Sequence, residues 1–502
     1  MPPSSSSSAL VFLLGAASSA AIILVASGIE KRRRRKRRRF LFDGAVGPPL
    51  LLTKDVPGPV SRSLIDRLSR YECPAITARR ARRADALGAA ATDPIVWSSA
   101  TNATITDCDG NKYIDLTSGF GVATLGHSNP AVLDAAERML NKPLIHAMGD
   151  AFADQSRVEL LEELAKFLPQ LPKGILGCSG SDAVQAALKT AVLSTGRQGV
   201  LAFKGGYHGL AHGALAPTAY HENDFRTPFK AQMGDHVASF AEFGAMPFPS
   251  LRNAKPYPIG AVIVEPIQGR GGIRPASASW LRALRQHCDN EGALLIYDEV
   301  YTGFGRTGTW FAFQGATDDK EDNVNEEEKK EDSSVVGAPL PDLICLGKAM
   351  GGGFPISVCM GSKKVMDSWG ASRGESLHTQ TFLGNPLGCA MALNALKELK
   401  KINAPSLARQ KEDYLRSLLI KGGLVSKTTG MKEMRGRGLM VAVNVPDPLY
   451  AMAAFLRRGI IALPCGEGND FAMAIVPPLT IPDSQLRYAV EALVEICKEK
   501  RN

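Results

Sequence analysis

Two apolar segments of strand length each end on a residue that could take part in chemistry. Leu294 to Gly308 reads LLIYDEVYTGFGRTG, so an apolar run ends on Asp298 and Glu299 before a glycine-rich turn. The segment PDLICLGKAMGGG ends in the same way on Lys348. Burial away from water lowers the pKa of a lysine. The neutral amine is then favoured, and it can attack a carbonyl carbon. Taken singly, such an Asp is also a common cap or turn former, and a lysine in a turn is often solvated.

Two further segments carry groups that suit a planar, anionic ligand. In GCSGSDAVQAALK, small residues open a helix, where free N–H groups and the helix dipole favour an anion. Ser179 and Ser181 add hydroxyl donors there, and Tyr207 in GGYHG could stack on a planar ring. Alone, the first motif is a common helix start and the tyrosine could belong to the core. Together with the acid and the lysine, they predict a phosphate cradle beside an amine-reactive site.

The elements that must position these groups are short apolar strands. Strands are predicted at Gly199–Phe203, Ala261–Val264, Leu294–Tyr297 and Leu343–Leu346. They do not alternate polar with apolar residues, which is typical of strands covered on both faces, and segments of helical periodicity separate them. The sequence therefore predicts an α/β fold with a parallel sheet, and ligand chemistry at the carboxyl ends of its strands.

Three other segments differ from this pattern. Residues 40–60 are rich in Gly and Pro and predict a linker. Residues 318–332 read DDKEDNVNEEEKKED, which cannot bury a core and predicts a disordered surface insertion. Beyond residue 386, helical stretches followed by RGRGLMVAVNV and a PP-containing turn predict a smaller carboxy-terminal α+β domain.

Composition excludes some classes of function. The chain has 502 residues, too many for one ordinary core, and a formal net charge of +9. Residues 31–39 read KRRRRKRRR and carry nine positive charges, so the rest of the chain is near neutral and no general nucleic-acid surface is expected. The nine cysteines are widely spaced, and neither a disulfide framework nor a metal site is expected.

The amino terminus predicts a membrane anchor. Ala9 to Ile29 contains no charged residue and is long enough to cross a bilayer as a helix. The basic run that follows predicts that everything after residue 30 is cytosolic, with lysines and arginines against anionic lipid. The alternative is a cleaved or disordered targeting leader, as in mitochondrial import, although here the arginines are segregated from the apolar stretch.

In several motifs the sequence resembles the class III (ω-type) aminotransferases, which depend on pyridoxal 5'-phosphate (PLP). The resemblance covers roughly residues 90 to 490 and rests on SGSDAVQAALK, YHG, EPIQG, YDEVYTGFGRTG, LGKAMGGG and HTQTFLGNP. It implies the PLP-dependent aspartate-aminotransferase-like fold, with a large domain containing a mostly parallel seven-stranded sheet and a smaller α+β domain. It also implies a homodimer with active sites at the subunit interface.

The resemblance assigns a role to each matching residue. Lys348 would carry the cofactor as a Schiff base and Asp298 would pair with its ring nitrogen, and both would be catalytic. The cofactor contacts it implies are Gly180 and Ser181 at the phosphate, Tyr207 stacked on the ring, His208, Glu265, Gln268 near the phenolic oxygen, and Thr381 at the phosphate of the neighbouring subunit.

The domain limits expected from these features follow the chain. They are 1–39 for the anchor and basic run, 40–60 for the linker, 61–115 for the amino-terminal segment of the small domain, 116–385 for the PLP-binding domain with its insertion, and 386–502 for the carboxy-terminal small domain.

The chain departs from the family pattern where the substrate carboxylate would bind. Family members that use glutamate or 2-oxoglutarate commonly have an acidic residue after EPIQG and an arginine shortly before PPL, whereas this chain has Arg270 and Ala474. Arg270 could bind a carboxylate itself or be a solvated loop residue. Tyr301 replaces a glutamine common in relatives. These departures leave pyruvate, glyoxylate or another acceptor open.

The resulting functional prediction is transfer of an amino group from a primary amine or ω-amino acid to a 2-oxo acid. Two alternatives remain open. One is an aminomutase, racemase or decarboxylase of the same family, and the other is a catalytically idle scaffold held at a membrane.

Overall fold

The structure is a computed structural model that describes residues 32–73, 76, 94–142, 144–234, 237–318, 337–371, 375–426 and 434–499. Its fold is built on a seven-stranded sheet. The strands are β1 Trp97–Thr101, β2 Thr104–Asp107, β3 Lys112–Asp115, β4 Lys173–Gly177, β5 Gly199–Phe203, β6 Val237–Ala241, β7 Ile259–Val264, β8 Ile267–Gln268, β9 Arg274–Pro275, β10 Leu294–Asp298, β11 Leu343–Leu346, β12 Ser357–Gly361, β13 Met434–Arg437, β14 Met440–Val443, β15 Ile460–Ile461, β16 Leu463–Cys465 and β17 Ala472–Ile475.

Helices alternate with these strands. The longer ones are α1 Pro59–Leu68, α2 Pro130–Leu140, α3 Gln155–Phe167, α4 Gly180–Thr195, α5 Ala278–Glu291, α6 Pro386–Lys401, α7 Ala404–Lys421, α8 Pro448–Arg457 and α9 Asp483–Glu499. Single helical turns occupy His212–Leu215, Glu222–Phe225, Thr227–Phe229, Lys230–Met233, Ala312–Gly315, Lys348–Gly351, Lys363–Met366, Asp367–Trp369 and Gly468–Asp470.

The large sheet has the strand order β4-β12-β11-β10-β7-β5-β6. Strand β12 is antiparallel to both of its neighbours, and the other pairs are parallel. All six strands other than β12 therefore point the same way, and their carboxyl ends lie at one edge. The predicted α/β fold with a mostly parallel seven-stranded sheet is confirmed, and so are strands at all four predicted places.

Helices cover both faces of this sheet, which explains why its strands do not alternate. Every residue of β5, β7, β11 and β12 is buried. On one face, Val184 and Ala187 of α4 pack with Val200 in one apolar cluster. On the other, Leu281 and Leu284 of α5 belong to the larger core, which includes α6. Burying both faces makes the sheet a rigid support for residues at its carboxyl edge.

The carboxy-terminal part contains a second, antiparallel sheet of order β13-β14-β17-β16. The chain's first strands join this part, because β3 pairs in parallel with β15 in the sheet β1-β2-β3-β15. A smaller α+β unit is thus assembled from the two ends of the chain. The domain limits 61–115, 116–385 and 386–502 stay predictions.

Residues 32–43, here called the basic helix, lie against the folded body. Arg35 Nε is 3.0 Å from Asp134 Oδ2, and Arg38 Nη1 is 2.9 Å from Glu137 Oε2, both on α2. Phe42 is buried at the end of the helix. Two arginines of the basic run, Arg35 and Arg38, therefore contact carboxylates of the same chain.

The predicted localisation, a single-pass anchor with a cytosolic catalytic domain, is wrong. In the described ranges, no helix is both long and apolar enough to cross a membrane. The apolar segment 9–29, on which both the anchor and the mitochondrial alternative depended, lies outside the described residues.

Two other predicted segments have different outcomes. Within residues 40–60, predicted as a linker, Leu50 exchanges two backbone hydrogen bonds with Lys112, of 3.1 and 2.7 Å. Of the predicted insertion 318–332, only Asp318 is described, and its carboxylate accepts a hydrogen bond from the backbone N–H of Ser279 at 2.7 Å.

Candidate active site

A cavity of about 810 Å³ opens where the parallel strands end. Its wall includes residues that follow β4, β5, β7, β10 and β11, together with residues of the small unit. The wall includes Phe120, Gly180, Ser181, Tyr207, His208, Tyr220, Glu265, Arg270, Asp298, Tyr301, Lys348, Leu449, Met452, Leu463 and Ala474.

Lys348 lies at the floor of this cavity, directly after β11. Its backbone has a φ of +39°, a left-handed conformation that side chains bearing a Cβ rarely adopt. Such strain is typical of functional positions, where the surrounding fold enforces it. The ammonium nitrogen sits 4.4 Å from the ring centre of Tyr301. Burial lowers the pKa of Lys348, and Arg270 lowers it further, while Asp298 and Glu265 oppose the shift. The local environment therefore favours a nucleophilic, neutral amine.

Asp298, the last residue of β10, is held by two hydrogen bonds. Its Oδ1 accepts from the backbone N–H of Val300 at 3.1 Å, and its Oδ2 lies 2.8 Å from Nδ1 of His208. A carboxylate accepts from a ring N–H, so this contact suits the His208 tautomer that carries its proton on Nδ1. The other ring nitrogen of His208 is buried without a partner in the described chain. A carboxylate fixed in this way at the cavity wall suits a protonated ring nitrogen of a ligand.

Glu265, directly after β7, fixes the loop that carries Tyr207. Its two carboxylate oxygens accept from the backbone N–H groups of Tyr207 at 2.8 Å and Gly269 at 3.0 Å. Burial raises the pKa of Glu265 to about 7, with Asp298 adding to the shift and His208 and the two N–H donors opposing it. The residue connects the ends of β5 and β7 across the cavity wall.

The start of α4 provides an anion site. The Asp182 side chain accepts from the N–H groups of Cys178 and Ser179, and the Ser179 hydroxyl accepts from Asp182 N–H. The first turn of a helix leaves its N–H groups without helical partners, so those of Gly180 and Ser181 remain to face the cavity. A Cβ added at Gly209 would lie 2.2 Å from the Ser181 hydroxyl, so the glycine allows this close approach.

Two of the predicted site residues do not line this cavity. Gln268 is buried, and its amide donates to the carbonyl of Lys204 at 2.8 Å while its oxygen accepts from Arg274 at 2.6 Å. Thr381 is exposed on the surface. The structure brings together the other predicted residues, namely Gly180, Ser181, Tyr207, His208, Glu265, Arg270, Asp298 and Lys348.

Arg270 is surrounded by aromatic rings. Its guanidinium carbon lies 4.5 Å from the ring centre of Tyr207, 5.8 Å from that of Tyr220 and 6.0 Å from that of Phe120. Such stacking holds the planar group by its faces and leaves its N–H edges available.

Sequence reasoning missed several lining residues. Phe120 lies in a turn where residues 118–121 all have positive φ, from +49° to +82°. The two glycines that flank Phe120 were a signal that could have revealed this turn. Tyr220 and the apolar residues Leu449, Met452 and Leu463 lie in segments without a recognisable motif, and only the folded chain brings them to the cavity.

A half-buried lysine, a fixed carboxylate and a helix start suited to a phosphate, at one edge of a mostly parallel sheet, are the groups that a PLP site of the aspartate-aminotransferase type requires. The strained Lys348, the carboxylate of Asp298 and the two free N–H groups at α4 fit the carbonyl, ring nitrogen and phosphate of that cofactor.

Comparison with known proteins agrees with this class. The family model "Aminotransferase class-III" matches residues 87–323 and 334–497. The acetylornithine aminotransferase of Methanopyrus kandleri is 33% identical over 80% of this chain and 94% of its own length. A 5-aminovalerate aminotransferase of Pseudomonas aeruginosa is 34% identical over 81% of this chain and 94% of its own length. The crystal structure of the ornithine aminotransferase from Toxoplasma gondii superposes with a TM-score of 0.70, at 25% identity, covering 89% of this chain and 97% of that one.

The chain belongs to the class-III aminotransferase family. It is a PLP-dependent enzyme that transfers an amino group from a primary amine or ω-amino acid to a 2-oxo acid. The predicted family, fold, cofactor and reaction are confirmed, and the aminomutase, racemase, decarboxylase and scaffold alternatives are not favoured.

Proposed function

We propose that Lys348 and Asp298 are the catalytic residues of this aminotransferase. The observation that carries the proposal is the position of Lys348, half-buried and strained two residues after the end of β11, in the same cavity as a carboxylate held by His208. Once bound, PLP supplies a carbonyl that condenses with amines and a ring that accepts electrons from the substrate carbon.

The chain's own groups would prepare and move protons. The contacts of Asp298 with His208 and Val300 hold its carboxylate where it would pair with a protonated ring nitrogen. Burial lowers the pKa of Lys348, which favours the neutral amine that would take a proton from the substrate carbon and pass it on. The N–H groups at the start of α4 orient the phosphate, and Glu265 holds the Tyr207 loop against the ring.

Covalent mapping tests the attachment residue. The purified holoenzyme is reduced with borohydride, digested and analysed by mass spectrometry, and the phosphopyridoxyl group is expected on Lys348. Lys348→Ala should lose both this label and turnover. The matched control is Lys363→Ala, which removes an exposed lysine just after the end of β12. It should change neither the label on Lys348 nor turnover. A label on another lysine, or turnover by Lys348→Ala, contradicts the proposal.

We also propose that the enzyme is a homodimer in which Thr381 binds the phosphate of the neighbouring subunit. An apolar patch on the described surface supports this, consisting of Ile145, Met148, Phe152, Leu377 and Phe382. The patch lies beside the anion site, because the Cys178 thiol contacts the carbonyl of Phe382 at 3.7 Å. Exposed apolar clusters of this kind commonly mark subunit interfaces.

The proposed donor is a chain bearing a terminal amine, as in the substrates named for the acetylornithine and 5-aminovalerate aminotransferases. Leu449, Met452 and Leu463 give the cavity an apolar wall that suits an aliphatic chain. Single-turnover spectra with 5-aminovalerate and N-acetylornithine, without any acceptor, test the donor directly. The absence of a spectral change with every terminal amine tried contradicts it.

A further inference from the structure

Arg270 is fixed at the cavity by its backbone as well as by its rings. Its carbonyl accepts a hydrogen bond from Gly466 N–H at 2.8 Å, which ties it to the loop after β16. The turn is closed by Ile273 N–H, which donates to the carbonyl of Gly269 at 3.1 Å. The arginine therefore projects from a turn anchored to both the large sheet and the small unit.

The guanidinium of Arg270 makes no ion pair with any carboxylate of the described chain. The carboxylates nearest to it in the cavity wall, Glu265 and Asp298, are engaged with Tyr207, Gly269, His208 and Val300. A partly buried guanidinium that contacts only rings has unused in-plane donors, and a carboxylate matches them with two parallel hydrogen bonds.

The wall formed by the small unit is uncharged. Ala474 lies in β17 between Ala442 and Leu463, and its methyl group lines the cavity beside Leu463, Leu449 and Met452. Among the described lining residues, Arg270 and Lys348 are the only cationic side chains. Since Lys348 is needed for the chemistry, Arg270 is the cationic side chain left to bind substrate carboxylates.

We infer that Arg270 binds the carboxylate of the 2-oxo acid and that the natural acceptor is a monocarboxylate, for which pyruvate is the probe. This inference rests on the proposed function. A dicarboxylate such as 2-oxoglutarate would place its second charge against Ala474 and the leucines, and an unpaired charge at an apolar surface is costly. Arg270, on the large-sheet side of the cavity, would thus select acceptors that carry one carboxylate over acceptors that carry two.

The experiment compares acceptors with the holoenzyme. With 5-aminovalerate as donor, kcat/KM is measured for pyruvate, 2-oxoglutarate and propanal, which has the same carbon count as pyruvate but no carboxylate. The native enzyme should prefer pyruvate to 2-oxoglutarate by about tenfold or more. Arg270→Gln should reduce kcat/KM for pyruvate about 100-fold and should reduce that for propanal at least tenfold less, since propanal has no carboxylate for the guanidinium to bind.

Two further variants test whether the planar guanidinium of Arg270 is responsible for the effect. Arg270→Lys keeps the charge but loses the planar fork, so it should recover part of the pyruvate activity. Arg252→Gln removes an exposed arginine that binds the carbonyl of Asn290, and it should leave all three acceptors unchanged. An equal loss for pyruvate and propanal in Arg270→Gln, or a native preference for 2-oxoglutarate, overturns the inference.

The donor half-reaction distinguishes a failure of the proposed donor from a failure of the role inferred for Arg270. If 5-aminovalerate and other terminal amines produce no spectral change in the absence of acceptor, the proposed donor fails. If that change occurs but 2-oxoglutarate is the better acceptor, the donor and catalytic residues stand and only the role of Arg270 fails.

Discussion

Asp298 and Glu299 are adjacent in the sequence, but their side chains serve different structures. Asp298 lines the cavity, whereas Glu299 is fully buried and holds the following turn. Its carboxylate accepts hydrogen bonds from the Thr302 hydroxyl and from the N–H groups of Ala312 and Phe313, both at 2.9 Å. The motif therefore contains one residue for chemistry and one for the loop that covers it.

Isosteric amides at the two positions should separate these roles. Asp298→Asn should lower kcat about 100-fold or more, because the charge that stabilises the protonated ring nitrogen is lost. Its unfolding temperature should stay near the native value. Glu299→Gln should cost about 2 kcal/mol of stability, because an amide nitrogen cannot accept from a backbone N–H. Steady-state kinetics and thermal unfolding of both variants are the measurements. The division of roles between Asp298 and Glu299 would be contradicted if the two variants lost the same amount of activity and the same amount of stability.

The charges around Lys348 should control the pH at which the cofactor attaches. Attachment needs the neutral amine, and burial lowers the pKa of Lys348, so the rate of PLP incorporation into the apoenzyme should rise at a midpoint below the ordinary lysine value of 10.5. Asp298 raises this pKa and Arg270 lowers it. Asp298→Asn should thus move the midpoint to lower pH and Arg270→Gln should move it to higher pH.

The measurement is the visible absorbance of bound cofactor, followed after mixing apoenzyme and PLP over a series of pH values. Arg252→Gln serves as the control for loss of a distant positive charge and should leave the midpoint unchanged. Shifts of the same sign in Asp298→Asn and Arg270→Gln would show that these two charges do not act on Lys348 as described.

At the level of elements, the basic helix is attached by charge and by one aromatic side chain. Arg38 contacts both Asp134 and Glu137, and Arg35 contacts Asp134. These pairs are partly exposed, so together they are worth about 1 kcal/mol. Phe42 packs in the space beside Gly126, in the segment that follows the strained turn of Phe120.

Removing the two acidic partners should loosen this helix. In the double variant Asp134→Asn with Glu137→Gln, trypsin should cleave within residues 32–39 about fivefold faster, since local opening becomes more frequent. Raising the salt concentration should have the same effect on the native protein and little on the variant. Glu162→Gln, an exposed glutamate on α3, is the control. Unchanged cleavage in the double variant would mean that the ion pairs contribute nothing to docking.

The sequence allowed the parallel strands to be predicted well because they are doubly covered. Uninterrupted apolar runs located β5, β7, β10 and β11 to within about two residues, which is the accuracy expected for element ends. It did not reveal the antiparallel strand β12, whose residues SVCMG have no special pattern. Its direction depends on pairing with β11 and β4, which lie far apart in the sequence.

The candidate site was predictable to a similar degree. Groups at strand ends, such as Asp298 and Lys348, follow from the rule that ligands bind at the carboxyl edge of a parallel sheet. The orientation of Gln268 does not follow from any local rule, because Arg274 and the carbonyl of Lys204 decide it. The membrane prediction rested on apolar length and charge order alone, and among the described residues no helix could span a membrane.

At the scale of the whole molecule, the cavity is built from parts remote in sequence. The buried Arg306 donates to the carbonyl of Leu439 and to the hydroxyl of Thr124, at 3.2 and 2.9 Å, joining the large sheet, the small unit and the Phe120 segment. Burial lowers the pKa of Arg306 to about 10, while Tyr301 and Asp115 oppose the shift. Such a connection fixes the position of the small unit's apolar wall opposite Arg270.

The proposed dimer makes the active site a shared structure, which subunit mixing can test. If each site takes Lys348 from one subunit and Thr381 from the other, a heterodimer of Lys348→Ala and Thr381→Ala subunits contains one site with both residues. Co-expressed with two affinity tags and purified through both, it should show about half of the native activity per dimer. Each parent homodimer should show far less. A heterodimer of Lys348→Ala and Asp298→Asn is the control, since both residues belong to one subunit's site and no intact site can form. If the first heterodimer is no more active than its parents, Thr381 does not act across the interface.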